Sequence, residues 1–374
     1  MKILMLLHEA FGGRGGIAKF NRDLLTAICA HPDVAAVTAI PRLAIDPPGV
    51  LPEKLTYPTV GLLGKASWFL RAGIAALERP PYDLILCGHI NLLPAAFAVR
   101  RLNAAPVALI VHGIEAWHCT GRRVTDTLAG RIDFLISVSQ VTRSRFFAWS
   151  GRETPSAILP NTVDTDSFTP GAADAALVRR WGLDGRRVIL TLARLEARER
   201  YKGIDEIIDV LPSVVAEFPD AVYVIAGDGS DRPRLETKVR ERGLGGHVVF
   251  TGYVPETEKR DLYRAADVFA MPGHGEGFGI VYLEAMACGI PVIASTMDGS
   301  REAVRDGMLG LTVNPSDAAA LREALRTALL RPKGAVPPGL DYFDLRHFRA
   351  RAHGIVDQLR RVCAPSLALD GRGS

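Results

Sequence analysis

The sequence predicts an α/β protein of two doubly wound, Rossmann-like domains. Three observations carry that expectation. At 374 residues the chain is too long for one core of ordinary size and suits two. Short continuous apolar runs alternate with longer helical stretches, as strands buried on both faces alternate with crossover helices. The same rhythm is written twice, on either side of a polar interval rich in turn residues.

In the first half the apolar runs are Lys2–Leu7, Val34–Ile40, Leu84–Cys87, Pro106–His112, Phe134–Ser139 and Ser156–Leu159. None alternates with polar residues, so each reads as a strand of a parallel sheet covered on both sides. The second half continues with Arg187–Ala193, Ala221–Ala226, Val248–Thr251, Val268–Met271, Pro291–Ser295 and Leu311–Val313. Helical stretches Asp205–Phe218, Arg232–Arg242 and Ala318–Leu330 lie between them. Turn residues gather from Asp164-Thr165-Asp166-Ser167-Phe168-Thr169-Pro170 to near Gly185, which puts an N-terminal domain at residues 1–168 and a C-terminal domain at 169–341. Beyond the Pro- and Gly-rich stretch Pro332–Leu340, a last helix is predicted over 342–363.

Apolar residues make up 48% and charged residues 23%, the balance of a soluble globular chain rather than a disordered one. No apolar run approaches the roughly 18 residues of a membrane span. The opening Met1-Lys2-Ile3-Leu4-Met5-Leu6-Leu7 meets His8 and Glu9 too soon for a signal peptide, so the expected compartment is the cytoplasm. Cys29, Cys87, Cys119, Cys288 and Cys363 fall at no zinc or redox spacing and read as thiols with neither a metal nor a disulfide role.

In open α/β sheets ligands bind beyond the carboxyl ends of the strands, so residues just after strands are the candidates. The most informative such stretch runs from Gly275-Glu276-Gly277-Phe278-Gly279-Ile280 to Glu284. It sets two carboxylates eight positions apart around a glycine-rich loop that opens a helix. Eight helical residues rise about 12 Å, and a helix N-terminus attracts anions, which suits a sugar nucleotide with its pyrophosphate at the helix start. Leu283, Met286 and Ala287 have the spacing of core residues; Glu276 and Glu284 do not fit that account, because carboxylates among apolar neighbours are buried only when paired.

Four further segments follow strands. Gly13-Arg14-Gly15-Gly16-Ile17-Ala18 satisfies a dinucleotide fingerprint, but a loop separates it from its strand and the next strand ends in Pro41-Arg42, where an acid would hold a ribose. Backbone N–H groups near a phosphate are the better account of it. His112 can hydrogen-bond a sugar hydroxyl or a leaving oxygen when neutral, and a packed core histidine is the competing reading. Arg194 and Lys202 flank a loop that can fold both cations toward a pyrophosphate leaving group. Gly227-Asp228-Gly229 lets backbone approach a ligand, and Thr251-Gly252-Tyr253-Val254 can line a base.

Glu276 and Glu284, set within Gly-Glu-Gly-Phe-Gly, resemble the signature of family 4 of the retaining glycosyltransferases, whose GT-B architecture places two Rossmann-like domains face to face across a cleft. The resemblance covers nearly the whole chain in the family's order: the Gly15-Gly16 loop, His112-Gly113, Ile136-Ser137-Val138-Ser139, Leu159-Pro160-Asn161-Thr162-Val163-Asp164, Arg194 with Lys202-Gly203, Gly227-Asp228-Gly229 and Ala266-Asp267-Val268. It departs at Asn161-Thr162 and at Asp298-Gly299-Ser300-Arg301-Glu302, which puts those loops in question and not the fold. The resemblance implies a catalytic set of His112, Arg194, Lys202 and Glu276. Arg194 and Lys202 would take the donor diphosphate, Glu276 the hexose, Glu284 the ribose, and His112 the hexose near the reacting carbon. Gly15, Gly16, Gly227, Gly229, Val254, Gly277, Phe278, Gly279 and Ile280 would complete the donor contacts. It also implies that the last helix returns to the N-terminal domain.

The implied reaction moves a hexose from UDP- or GDP-hexose to a hydroxyl of a glycan or lipid-linked acceptor in polysaccharide or glycolipid synthesis, with retention at the anomeric carbon. No side chain in the set is an obvious nucleophile, which favours front-face attack with the leaving phosphate taking the acceptor proton. No Asp-x-Asp follows a strand, so neither a metal nor a cofactor is required. The net charge of +4 sits in residues 1–170, where 17 Lys and Arg face 13 Asp and Glu; the remainder holds 28 of each. That excess fits an acidic or membrane-borne acceptor, or simply solubility. Lys65-Ala66-Ser67-Trp68-Phe69-Leu70-Arg71 and Arg143-Ser144-Arg145-Phe146-Phe147-Ala148-Trp149 mix bulky apolar with basic residues. They read either as membrane-surface segments, giving weak peripheral association at the inner face of the cytoplasmic membrane, or as helices packed on the sheet. Nucleic acid is not an expected partner. Two alternatives stand beside the transferase: a nicotinamide oxidoreductase and a sugar-nucleotide-binding protein without turnover.

Overall fold

The computed structural model describes residues 1–59 and 64–363. It divides the chain into two compact units, the first formed by Met1–Pro160 with the chain from Arg346 onward, the second by Asn161–Leu345. In the first unit β1 (Lys2–Leu7), β2 (Ala36–Pro41), β3 (Leu55–Thr56), β4 (Leu84–Cys87), β5 (Val107–Val111), β6 (Phe134–Ser137) and β7 (Ser156–Ile158) form one sheet in the order β3-β2-β1-β4-β5-β6-β7. The pairings are parallel, with Ile3 opposite Val37 on one side and Leu84 on the other. In the second unit β8 (Arg187–Leu192), β9 (Ala221–Ala226), β10 (Val248–Gly252), β11 (Val268–Ala270), β12 (Val292–Ser295) and β13 (Leu311–Val313) form a parallel sheet ordered β10-β9-β8-β11-β12-β13.

Both sheets are doubly wound. The chain starts in the middle, moves outward to one edge, and returns to the far side of its first strand, so the strand order reverses between β1 and β4 and again between β8 and β11. Helices cover both faces, which is why the central strands are apolar throughout: Leu4, Leu6, Ile85, Leu109 and Leu135 join one core, and Ile189, Tyr223, Ile225 and Ile293 the other. Burial of each such side chain contributes about 1.5–3 kcal/mol. Among the described residues no helix is long and apolar enough to cross a membrane.

Three details differ from the sequence expectation. The two-residue strand β3 carries no period to read, and its register, Val37 opposite Leu55, depends on β2 alone. The units divide at Pro160 and Asn161 rather than at 168 and 169. Tertiary bonds set that division: Thr162 Oγ1 and Val163 N–H both donate to Phe343 O, at 2.7 and 3.0 Å, and Arg264 holds Thr169 O at 2.9 Å. The final stretch is two elements, a 3₁₀ turn at Leu340–Phe343 and a helix at Leu345–Cys363, separated by Asp344 in extended backbone (ψ 164°). That helix packs within the first unit, with Phe348 edge-on to Phe20 and His353 Nε2–H donating to Ala27 O at 3.0 Å.

Candidate functional site

The loops at the carboxyl ends of β8, β9 and β11 in the second unit are bonded to one another through backbone. Gly227 has φ +135°, and a Cβ there would lie 1.8 Å from Ala193 O. Only glycine fits, and its contact brings the loop after β9 against the loop after β8, where Leu195 N–H donates to Asp228 O and Asp231 N–H to Leu195 O. The close approach expected of Gly227 and Gly229 is therefore to the chain itself: a Cβ on Gly229 would meet Leu195 O at 2.4 Å. These glycines shape the loop that carries Arg194.

On the other side of the reversal point, His274 N–H donates to Tyr201 O at 2.9 Å, tying the loop after β11 to the turn that holds Lys202. The result is a pair: Lys202 Nζ lies 2.6 Å from Glu276 Oε2, with the two side chains 15% and 19% exposed. Burial opposes the ammonium, but the Glu276 carboxylate outweighs it and holds Lys202 above the ordinary lysine value. Arg194 and Lys202 line one small depression with Leu195, Glu199 and Asp231, while the Arg194 side chain reaches out, 77% exposed, to pair with Glu199. Glu276 is fixed from behind by Asp298, a residue the sequence reading noted only as a departure. Asp298 is fully buried; its Oδ2 accepts Glu276 N–H at 2.9 Å and its Oδ1 accepts Ser300 N–H and Oγ–H at 3.0 and 2.6 Å. Burial, with a smaller contribution from Glu276, pushes its carboxyl up to about 6 against those bonds.

The helix Ile280–Ala287 begins at Gly279 with no side chain capping its free N–H groups and no acid in its first turn, which leaves its positive end open to an anion. Gly277, Gly279 and Ile280 stand at that start. Phe278 offers only backbone there, because its ring is buried edge-on to Phe343 at 5.5 Å. Val254 follows β10, half-buried beside exposed Tyr253. Glu284 differs from the expectation drawn for it. Its carboxylate is 1% exposed and already has protein partners: Lys259 Nζ at 2.8 Å and the Tyr263 hydroxyl at 2.9 Å. These explain its burial, and the sequence reading missed both, since Lys259 and Tyr263 lie on a separate helix, Glu256–Ala265.

In the first unit the Gly12 to Gly16 loop folds over residues 45 and 46, whose N–H groups donate to Gly12 O, and Arg14 forms a two-bond pair with Asp46. Gly15 (φ +87°) and Gly16 lead into the helix Gly16–Cys29, again with no side-chain cap and no acid in the first turn. His112 stands at the end of β5. Its Nε2–H donates to Gly88 O at 3.1 Å, Phe20 meets its ring edge-on, and burial keeps it below the ordinary histidine value despite nearby Glu115. Of the two basic-aromatic segments, Arg143–Trp149 packs inward: Phe146 is buried, Trp149 Nε1–H donates to Ala116 O, and Arg145 lies 3.8 Å over the Trp117 ring. Lys65–Arg71 lies on the helix Lys65–Ala76, whose Trp68 is buried while Phe69, Leu70 and Ile74 are exposed, Leu70 by 66%.

Two family models match: Glycosyltransferase Family 4 over residues 14–167 and Glycosyl transferases group 1 over 176–336. A curated relative from Mycolicibacterium smegmatis, a GDP-mannose-dependent alpha-(1-6)-phosphatidylinositol monomannoside mannosyltransferase, is 37% identical over 252 residues, 64% of this chain and 65% of that protein. A phosphatidyl-myo-inositol mannosyltransferase of Mycobacterium leprae is 39% identical over 238 residues, 63% of this chain and 57% of the relative. The matches thus span less than two thirds of those relatives' lengths. Among solved structures, sucrose-phosphate synthase from Thermosynechococcus elongatus superposes with a TM-score of 0.77 at 22% identity, and Anabaena Alr3699/HepE in complex with UDP and glucose with 0.74 at 21%; each comparison covers 96% of this chain and 100% of the other. At such identity the likeness establishes the fold alone, GT-B for the chain, each unit being one Rossmann-like domain of it.

Proposed function

The chain belongs to glycosyltransferase family 4, and on that premise we propose that it is a retaining hexosyltransferase acting on a nucleoside-diphosphate sugar and a lipid-linked hydroxyl. The observation that carries this reading is the Lys202 and Glu276 pair, 2.6 Å apart where the strand order of the second unit reverses, beside the uncapped helix start at Gly279. Cation, carboxylate and free N–H groups are what a sugar diphosphate needs. Lys202 and the helix start take phosphate oxygens, Arg194 adds a mobile second cation, and Glu276 accepts from hexose hydroxyls. In the transition state negative charge grows on the leaving diphosphate, so donors aimed at it are worth about 3–4 kcal/mol each. Because none of His112, Arg194 and Lys202 is a nucleophile suited to an anomeric carbon and Glu276 is held by Lys202, the proposed route to retention without a covalent intermediate is attack on the donor's front face, the leaving phosphate collecting the proton.

The relatives favour GDP-mannose as donor and a phosphatidylinositol mannoside as acceptor. The exposed Phe69, Leu70, Ile74 and Leu77, with Lys65 at the head of their helix, support weak docking on an anionic bilayer, apolar side chains entering the interface and the lysine meeting headgroups. Both family matches are to glycosyltransferases, which sets the nicotinamide alternative aside. Thermal shifts with GDP, UDP, ADP and NAD test the donor class, with GDP expected to stabilise most and a response to NAD alone overturning the reading. Release of GDP from GDP-mannose in the presence of acceptor separates an enzyme from a binding protein. Flotation with anionic vesicles at low salt tests docking, which Leu70→Glu should abolish.

A further inference from the structure

The first unit has its own reversal point, between β1 and β4, and His8, His89 and Arg42 there serve no role assigned above. His8 follows β1 and His89 lies two residues beyond β4; their rings meet edge to face at 4.5 Å. His112, at the end of the next strand, is tied to the same place through Gly88 O. Arg42 follows β2, its N–H donating to Leu7 O and His8 O at 3.1 and 3.0 Å. No carboxylate among the described residues pairs with the Arg42 guanidinium, and the nearby Glu115 carboxylate is spent on the N–H groups of His112 and Gly113. A second cation, Arg122, reaches Asn91 Oδ1 beside His89.

The protonation of this cluster follows from its bonds. His89 Nδ1 accepts Asn91 N–H at 3.1 Å, so its hydrogen is on Nε2 and it presents a donor. Gly88 O can only accept, so His112 carries its hydrogen on Nε2 and keeps a lone pair on Nδ1. Burial first, then Arg42 and the neighbouring imidazoles, push His8 down to about 4 and His89 to about 3, so both are neutral at pH 7. Neutral His8 gives hydroxyls one donor and one acceptor, His89 a donor and His112 an acceptor, and the Arg42 guanidinium, 5.9 Å over the Trp68 ring, has no carboxylate partner among the described residues. A metal is not what the cluster is built for: the ligand atoms that converge as a metal set would, among the described residues, are those of His31, Asp33 and Asp357, elsewhere in this unit. A depression of about 410 Å³ in this unit is also elsewhere, at the amino ends of the strands beside Met1, Asp83 and Pro106.

We propose that His8, His89 and Arg42 form an acceptor subsite for a phosphorylated polyol, Arg42 binding the phosphate and the two histidines the hydroxyls next to it. The proposal rests on the transferase reading for the word acceptor, and on the geometry alone for the ligand chemistry. Open α/β sheets bind ligands at this topological position, and a guanidinium matched to uncharged hydroxyl-binding rings selects an anion that carries hydroxyl groups.

The test uses the full chain. Imidazole signals of His8 and His89 are followed by NMR during titration with myo-inositol 1-phosphate, with myo-inositol, and with vesicles of phosphatidylinositol or phosphatidylcholine. Myo-inositol 1-phosphate or phosphatidylinositol vesicles should shift both histidines, the first showing recognition of the free headgroup and the second a requirement for the lipid; phosphatidylcholine should not. Arg42→Gln should weaken that binding at least tenfold and raise the acceptor KM by a similar factor, with GDP affinity unchanged, while Arg42→Lys recovers part of the loss. Equal binding by wild type and Arg42→Gln, or unshifted histidines, overturns the subsite. Failure of the wild type to bind GDP would instead overturn the transferase reading and leave the phosphate result standing.

Discussion

The second unit contains two lysine–glutamate pairs of nearly equal length, and their carboxylates differ in exposure. Lys202 ends the 3₁₀ turn Arg200–Lys202 and Glu276 sits on a loop, 15% and 19% exposed, at 2.6 Å. Lys259 and Glu284 sit on helices at 2.8 Å, 12% and 1% exposed, with the Tyr263 hydroxyl closing the second pair. In each, burial works against the ammonium and the carboxylate prevails, holding the lysine above its ordinary value. What separates them is access. The lysines are almost equally covered, but the Glu276 carboxylate is within reach of solvent while that of Glu284 is buried with Tyr263, Leu283 and Cys288, so we treat the first pair as exchangeable and the second as part of the core.

The strongest way to break this contrast is Glu284→Ala. It strands a buried ammonium, so a loss of about 3–5 kcal/mol is expected, seen as a fall in Tm on the order of 10 °C for a unit of this size. A Tm near wild type with a raised donor KM would move Glu284 into the ligand-binding class. Next come Lys202→Ala and Glu276→Ala, each expected to lower kcat more than a hundredfold, about 2.7 kcal/mol, with the circular dichroism spectrum retained. Near-normal turnover in either variant would sink the exchangeable-pair assignment.

Asp298 sharpens the comparison because it buttresses the exchangeable pair while being as buried as the sealed one. Its carboxyl rises from 3.8 to about 6, so its contribution to stability is full below pH 4 and is lost as pH climbs through 6. The stability difference between wild type and Asp298→Asn should therefore slope downward across that window by up to about 3 kcal/mol. A flat difference would mean that the carboxyl ionises freely. The smallest effect is Tyr263→Phe, which removes one donor from Glu284 and should cost about 1.5 kcal/mol in urea unfolding with donor KM unchanged.

The contrast also marks what the sequence could convey. Both sheets were legible because continuous apolar runs are a local signal, and Gly275 to Glu284 stood out as a candidate loop because glycines and acids were out of place beside a buried helix. The same signal did not reveal what keeps Glu284 buried. A buried acid needs a partner, but sequence does not show that Lys259 and Tyr263, 25 and 21 positions away, supply one. Gly227 and Gly229 were recognised as positions of close approach, but sequence does not show that Ala193 and Leu195 are the backbone they approach. His8 and His89 were missed although each follows a strand, the rule that singled out His112. Only the strand order, which places β4 beside β1, turns two separate histidines into a cluster.

The bonds from Thr162 and Val163 to Phe343 O bring the two ends of the second unit together. The unit is therefore an insertion, entered and left at one place, and its 161–345 segment is contiguous. During synthesis from the N-terminus this reverses the usual order of completion. The second unit can close before the chain is finished, whereas the first, though made earlier, waits for Phe348 and His353 to reach Phe20 and Ala27. A ribosome that stops short of Arg346 would release a whole second unit joined to an unfinished first one.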